Sequence, residues 1–135
     1  MKTTMETTIK RIDLKKFRGN NSTLFTGRPQ GLQARIELGL DELDNNNNNN
    51  NNLIVVFEIP EETTSFNPSF YLGLLYKSYK TLGIEGFSNK YSFDIKTNDL
   101  DTKKVILENL KDGMRNALNE LNKKTGLWSF ITSKK

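Results

Sequence analysis

Ser65 and Ser69 stand four residues apart in Ser65-Phe66-Asn67-Pro68-Ser69, and they are the side chains best placed to do chemistry. The run before them, Leu53-Ile54-Val55-Val56-Phe57, is short and rich in β-branched residues, so it reads as a buried strand. Apolar residues at helical spacing follow, up to Gly83. The serines therefore lie where a strand hands over to a helix, and the surface Pro60–Ser69 is expected at the carboxyl end of that strand, where open α/β sheets meet their ligands. A hydroxyl opening a helix can accept from free backbone N–H groups. A phosphate there would meet the positive end of the helix dipole. Ser69 is thus the first candidate for phosphorylation, Ser65 the second, and helix capping is the plainer use of either.

Other groups nearby carry weaker signals. Glu58, Glu61 and Glu62 could serve acid–base work or hold a divalent cation, but without a second ligand cluster they read better as an acidic rim. Arg28 and Arg35 are two helical turns apart, so they are candidates to hold a carboxylate or phosphate. Glu37, Asp41 and Asp44 on the same segment make internal salt bridges the competing use. Phe66, Phe70, Tyr71, Tyr76 and Tyr79 outnumber what one helix face buries, which makes some of them candidate interface anchors. The expected partner-binding set is Ser65, Phe66, Asn67, Ser69, Phe70 and Tyr71. Gly83-Ile84-Glu85-Gly86 lacks the Gly-Lys-Ser/Thr sequence of a phosphate loop.

The chain has neither cysteine nor histidine. Disulfides, thiolate chemistry, the commonest metal ligand and every Ser-His triad are thereby excluded. We assign no catalytic residue, no metal ligand and no cofactor from the sequence, and expect a non-enzymatic protein. The rival enzyme reading would rest on Glu58 and Glu61 with Arg28.

These residues need elements to hold them. An imperfect alternation over Thr7–Phe17 predicts a strand with a bend. Ser22–Phe25 predicts a short strand or lead-in. Pro29, Leu32, Ile36, Leu40 and Leu43 predict one amphipathic helix from about Pro29 to Leu43. Mid-helix, Gly31 is expected to allow close packing on a neighbour. After the strand Leu53–Ile59 comes a helix from Pro68 to Leu82, ended by Gly83. A strand follows at Tyr91–Lys96. The last helix is capped by Asp99 or Asp101, carries a stripe of Leu107, Leu110, Met114, Leu118 and Leu121, and ends at Gly126. The order β, α, β, α, β, α implies one small α/β layered domain over residues 1–135, with a mixed or mostly parallel sheet. Residues 45–52 are eight consecutive asparagines, read as a polar loop. Residues 127–135 form a tail whose Leu127-Trp128-Ser129-Phe130-Ile131 is apolar enough to dock as a strand or cover a core edge.

Net charge is +4, and residues 101–135 hold eight basic against four acidic side chains. A nucleic-acid accessory role for Lys103, Lys104, Lys111, Arg115, Lys123 and Lys124 is therefore the alternative function, although a solvated helix face is the simpler account. No segment approaches a membrane span, and the first residues lack a signal-peptide core. A cytoplasmic protein is the expectation.

Two blocks resemble the STAS-like domain family, small bacterial relatives of the sulfate-transporter and anti-sigma-factor-antagonist domain. One is Thr26-Gly27-Arg28-Pro29-Gln30-Gly31-Leu32-Gln33-Ala34-Arg35. The other is Ser65-Phe66-Asn67-Pro68-Ser69-Phe70-Tyr71-Leu72-Gly73-Leu74-Leu75, followed by Leu82-Gly83. With the element order, the resemblance covers about Ile9 to Leu121. It implies a regulatory module that binds a protein partner, an ATP-binding kinase or an anti-sigma-type regulator, and is switched by phosphorylation near the Ser-Phe turn. Asn67-Pro68 replaces the serine run that relatives often carry there, and Tyr71-Leu72-Gly73 replaces their acidic residues.

Overall fold

The computed structural model describes residues 7–19, 22–45 and 52–124. Most of the asparagine run and the whole of the tail lie outside the described residues. The described residues form five strands: β1 (Thr7–Asp13), β2 (Leu24–Phe25), β3 (Asn52–Ile59), β4 (Ser65–Phe66) and β5 (Tyr91–Ile95). The same residues form four helices: α1 (Arg28–Leu38), α2 (Leu40–Asn45), α3 (Pro68–Lys90) and α4 (Leu100–Lys124). A 3-10 turn at Lys15–Arg18 follows β1. This is a layered α/β domain. No helix among the described residues is long and apolar enough to cross a membrane.

The main sheet has the order β1-β3-β5, all parallel. Ile12 pairs with Phe57 and Phe57 with Phe93, so these three face one way. Helices cover that face, where Ile12, Val55, Phe57, Ile59, Tyr91 and Ile95 are buried. Among the described residues no element covers the opposite face, which carries Ile9, 58% exposed, together with half-buried Ile54 and Val56. It also carries a row of charges. Arg11 pairs with Glu58 and with Asp94 at 2.5 Å each, and Lys96 pairs with Asp94 at 3.0 Å.

Helix α3 occupies the middle of the helical layer, with α1 and α4 both packed against it. From Phe70 to Tyr79 every residue except Leu72 and Lys77 is buried, as a helix covered on several sides requires. Two glycines set the first contact. A Cβ on Gly31 would stand 2.2 Å from the Phe70 carbonyl oxygen, and one on Gly73 would stand 2.1 Å from the Arg28 carbonyl oxygen. The backbones of α1 and α3 therefore touch directly. On the other flank, Gly113 of α4 lies against the Tyr71 ring, 2.5 Å from where its own Cβ would be.

Several elements differ from expectation. The first helix is two helices, because Gly39 adopts φ 66°, ψ 37° and its N–H closes α1 onto Arg35 and Ile36. Gly83 interrupts α3 (φ 77°, ψ 172°) without ending it, and residues 84–90 continue as helix into β5. On α4 the buried face is Ile106, Leu110, Gly113 and Ala117, whereas Leu107 and Met114 are exposed. Gly113 lies on that face because it rests on the Tyr71 ring.

Gly31→Ala and Gly73→Ala should each destabilise the domain by about 3 kcal/mol, since the added methyl meets backbone that cannot step aside. Gly86→Ala, whose methyl meets only the Leu82 side chain at 3.1 Å, should change stability by less than about 1 kcal/mol. Urea denaturation of the three variants measures this. A second outcome concerns pH. The Lys96 hydrogen bond, aided by the Lys96 and Arg11 charges, holds exposed Asp94 below its ordinary 3.8. A carboxylate lowered in the folded state contributes fully above 3.8 and loses its contribution as pH falls through the lowered value. The small Tm advantage of the wild type over Asp94→Asn should be present near neutral pH and vanish well below 3.8.

Candidate functional site

The carboxyl ends of β1 and β3 open into the loops that hold most of the expected site residues. The β3–α3 loop is stapled on three sides. Arg18 donates from Nη1 to Thr63 Oγ1 at 2.9 Å, and the Thr63 N–H returns to the Pro60 carbonyl at 3.1 Å. The Thr64 N–H donates to the Thr23 carbonyl at 2.7 Å, and the two threonine hydroxyls lie 2.9 Å apart. The parallel pair β2–β4 follows, joining Leu24 to Ser65 and Phe25 to Phe66. From α4, Asn109 Oδ1 accepts the Phe66 N–H at 2.9 Å. A loop of polar residues is thus fixed to three separate elements and presents Glu61, Glu62, Thr64, Asn67 and Ser69 to solvent.

Asn67 ends this loop as the cap of α3. Its Oδ1 accepts the Ser69 N–H at 2.7 Å, and Pro68 fills the first helical position. The capping role expected of Ser69 therefore belongs to Asn67. Ser69 lies in the first helical turn, exposed, with no hydrogen bond to its hydroxyl among the described residues. Ser65 is half-buried within β4.

Phe66, Phe70 and Tyr71 are not available as surface anchors, contrary to expectation. All three are buried: Phe66 and Phe70 pack with Phe25 at ring separations of 4.9 and 5.2 Å, and Tyr71 shares a hydrogen bond of 2.7 Å with Tyr79. Burial pushes the Tyr71 hydroxyl far above its ordinary range. Tyr76 and Tyr79 are buried as well. Helix α3 can bury so many rings because sheet, α1 and α4 surround it.

Arg28 and Arg35 do hold carboxylates, but this chain's own. Arg28 makes a two-pronged pair with Glu120 of α4, at 3.2 and 3.0 Å, and lies over the Tyr76 ring at 5.6 Å. It straps α1 to α4 across α3. Arg35 is only 2% exposed. It pairs with Asp41 at 2.8 Å and Asp44 at 2.7 Å, and donates to the Leu74 carbonyl and Ser78 Oγ at 2.9 Å each. Asp44 also accepts from Ser78 Oγ at 2.5 Å and from the Tyr91 hydroxyl. The Arg35 guanidinium is closed to an external anion, whereas that of Arg28 is half-exposed and already engaged by Glu120.

Glu58 lies on the uncovered sheet face in the charge row, while Arg28 lies in the helical layer, so the enzyme constellation of Glu58, Glu61 and Arg28 does not assemble. No group of three or more acidic residues among those described could hold a metal ion. A small groove of about 190 Å³ does lie at this edge, lined by Lys15, Arg18, Pro60, Glu61 and Glu62. Arg18 was missed by sequence reasoning, because its setting in Lys15-Lys16-Phe17-Arg18 looks like surface charge. On α4, the 3.6-residue repeat aligns Lys104, Lys111 and Arg115, but Glu108 falls in the same stripe and Asp112 takes Arg115 at 2.8 Å.

The chain matches no protein-family model, no curated protein and no solved structure.

The two arginines should respond very differently to loss of their partners. Asp44→Ala leaves buried Arg35 with only the exposed carboxylate of Asp41 as counter-charge and removes the acceptor of Ser78 and Tyr91, and should cost about 3 kcal/mol. Glu120→Ala leaves the half-exposed Arg28 hydrated and should cost about 1 kcal/mol. Urea unfolding midpoints of the two variants separate these outcomes.

Proposed function

We propose that this chain is a non-enzymatic regulatory module that binds a protein partner through the carboxyl-edge surface around Ser65, Asn67 and Ser69, and that phosphorylation of Ser69 switches the binding. The observation that carries this reading is the cap of α3. Asn67 satisfies the helix end by itself, so the Ser69 hydroxyl stays exposed and uncommitted on a loop held to three elements. An added phosphate would bring a charge of about −1.5 to −2 to the first turn of the helix, where its dipole favours an anion. The same loop already presents Glu61 and Glu62, so the charge of the surface would change steeply. Ser65 is the second candidate acceptor, less accessible because it is paired within β4. The resemblance of the blocks Thr26–Arg35 and Ser65–Leu75 to STAS-like domains supports the same reading. It points to an ATP-binding kinase or anti-sigma-type regulator as partner class. A rigid loop with a free hydroxyl suits a surface read by such a partner.

The test uses the intact wild-type chain, Ser69→Ala and Ser69→Asp as baits in native lysate, read by mass spectrometry of both bait and captured proteins. An ATPase-like protein held by the wild type and Ser69→Ala, and lost with Ser69→Asp, is the expected result, with phosphate on Ser69 confined to wild-type chain that has released the partner. Identical partner sets for all three baits would overturn the proposal. Nuclease-sensitive capture in place of a protein would move the reading to the basic face of α4. Phe70→Ala is unsuited to this test, because removing a buried phenyl ring costs about 3–5 kcal/mol of stability by itself.

A further inference from the structure

Arg18 is only 9% exposed, and it is a buried charge of a different kind from Arg35. Arg35 meets Asp41 and Asp44, and Arg11, Arg28 and Arg115 likewise each hold a carboxylate. Arg18 makes no ion pair among the described residues. A guanidinium presents several N–H donors in a fixed fork. Nη1 of Arg18 donates to Thr63 Oγ1 at 2.9 Å, while its Nε is buried without a partner. Burying a cation with donors unused costs stability, so its retention points to a partner from outside the chain.

Arg18 lines the groove of about 190 Å³ at the carboxyl ends of β1 and β3, together with Lys15, Pro60, Glu61 and Glu62. Ligands of parallel sheets are held at this end of the strands. The volume is below the roughly 300–1,000 Å³ of sites for drug-sized molecules, so the groove suits a small occupant. Both walls are set in advance. The Leu14 N–H donates to the Glu58 carbonyl at 3.1 Å, which ties the end of β1 to β3. The Lys15 N–H donates to Asp13 Oδ1 at 2.9 Å. The Thr63 N–H closes the turn over residues 60–63, which carries Glu61 and Glu62.

The charges of the groove decide what fits. Lys15 and Arg18 stand for the positive sign, Glu61 and Glu62 for the negative. Although they share one groove, neither cation forms an ion pair with either carboxylate among the described residues. Lys16, next along the chain, pairs with Glu37 at 3.3 Å instead. A simple anion would be attracted by one wall and repelled by the other. A molecule that carries both signs is complementary to both. A carboxylate matches the arginine fork, and an ammonium matches the glutamates. We propose that this groove binds a small zwitterion of the amino-acid class, its carboxylate on Arg18 and Lys15 and its ammonium on Glu61 and Glu62. Ser69 does not line the groove, so this inference is independent of the regulatory role proposed above.

The test titrates the intact chain with glycine, β-alanine and γ-aminobutyrate, whose charges stand progressively farther apart. Acetate and inorganic phosphate are titrated beside them at the same ionic strength. Backbone amide NMR reads the site. The expected result is a saturable shift of the amides of residues 15–18 and 61–63 with at least one zwitterion, at concentrations where acetate and phosphate leave them unmoved. Glu61→Gln/Glu62→Gln changes exposed side chains only, so the fold is kept, and it should weaken zwitterion binding severalfold. Arg18→Met should abolish binding, and if that variant fails to fold the glutamate variant decides alone. No saturable shift with any of the three zwitterions overturns the proposal, as does an affinity unmoved by Glu61→Gln/Glu62→Gln. Phosphate or acetate binding as tightly as the zwitterions also overturns it, because the groove would then be a plain anion site.

Discussion

Direct backbone contact between α1 and α3 is the constraint on which the rest of the domain depends. Gly31 and Gly73 bring the two helices closer than any side chain would allow. That approach sets how far α1 reaches over α3. It thereby places Arg28 within range of Glu120 on the far side and Arg35 within range of the Leu74 carbonyl and Ser78. With α1 held close, the tyrosines of α3 are left to fill the space toward α4. There Gly113 leaves room for the Tyr71 ring. Close packing thus runs across the whole layer from two exchanges of side-chain volume for backbone.

Arg35 and Asp44 make the second fixed point. A buried charge pair gains little over an apolar pair of equal volume, because desolvation offsets the attraction. What it provides is direction. Asp44 accepts from Arg35, Ser78 and Tyr91, so one carboxylate orients the end of α2, the middle of α3 and the first residue of β5 together. Burial and the bond to Asp44 push the Tyr91 hydroxyl far above its ordinary range, and it remains a donor at any physiological pH. The amino ends of the sheet are therefore tied by polar bonds, while the carboxyl ends are tied by the stapled loop that presents Ser69.

Much of the architecture was legible in the residues. The β-branched run at Leu53–Phe57 and the alternation at Tyr91–Ile95 mark strands because their side chains must fill a pleated, covered surface. Gly31 signalled close packing because nothing else compensates for its cost inside a helix. Other features were hidden. Leu40 and Leu43 continue the helical spacing of Leu32 and Ile36, so the pattern runs unbroken through the left-handed turn at Gly39. Strand β4 has two residues, too few to form a period. Arg35 sits in a charged segment that reads as surface, because burial of a charge depends on partners far along the chain. The candidate site divides in the same way. The polar loop and the helix start were legible, whereas the inward turn of Phe66, Phe70 and Tyr71 depends on how α4 docks, and its leucine stripe pointed to a neighbouring face.

The charge row on the uncovered sheet has a consequence for behaviour in concentrated solution. A parallel sheet with one face left bare by the described residues offers a surface on which a second sheet could stack. Arg11 on β1, Glu58 on β3 and Asp94 on β5 cross that surface, with Lys96 just past β5, so two cations stand against two carboxylates. Any second sheet would have to strip water from all four before Ile9, Ile54 and Val56 could be covered, at several kcal/mol per ion. Their mutual pairing contributes little to folding, because they remain hydrated. They matter for colloidal stability instead: four side chains keep an apolar surface from becoming an adhesive one.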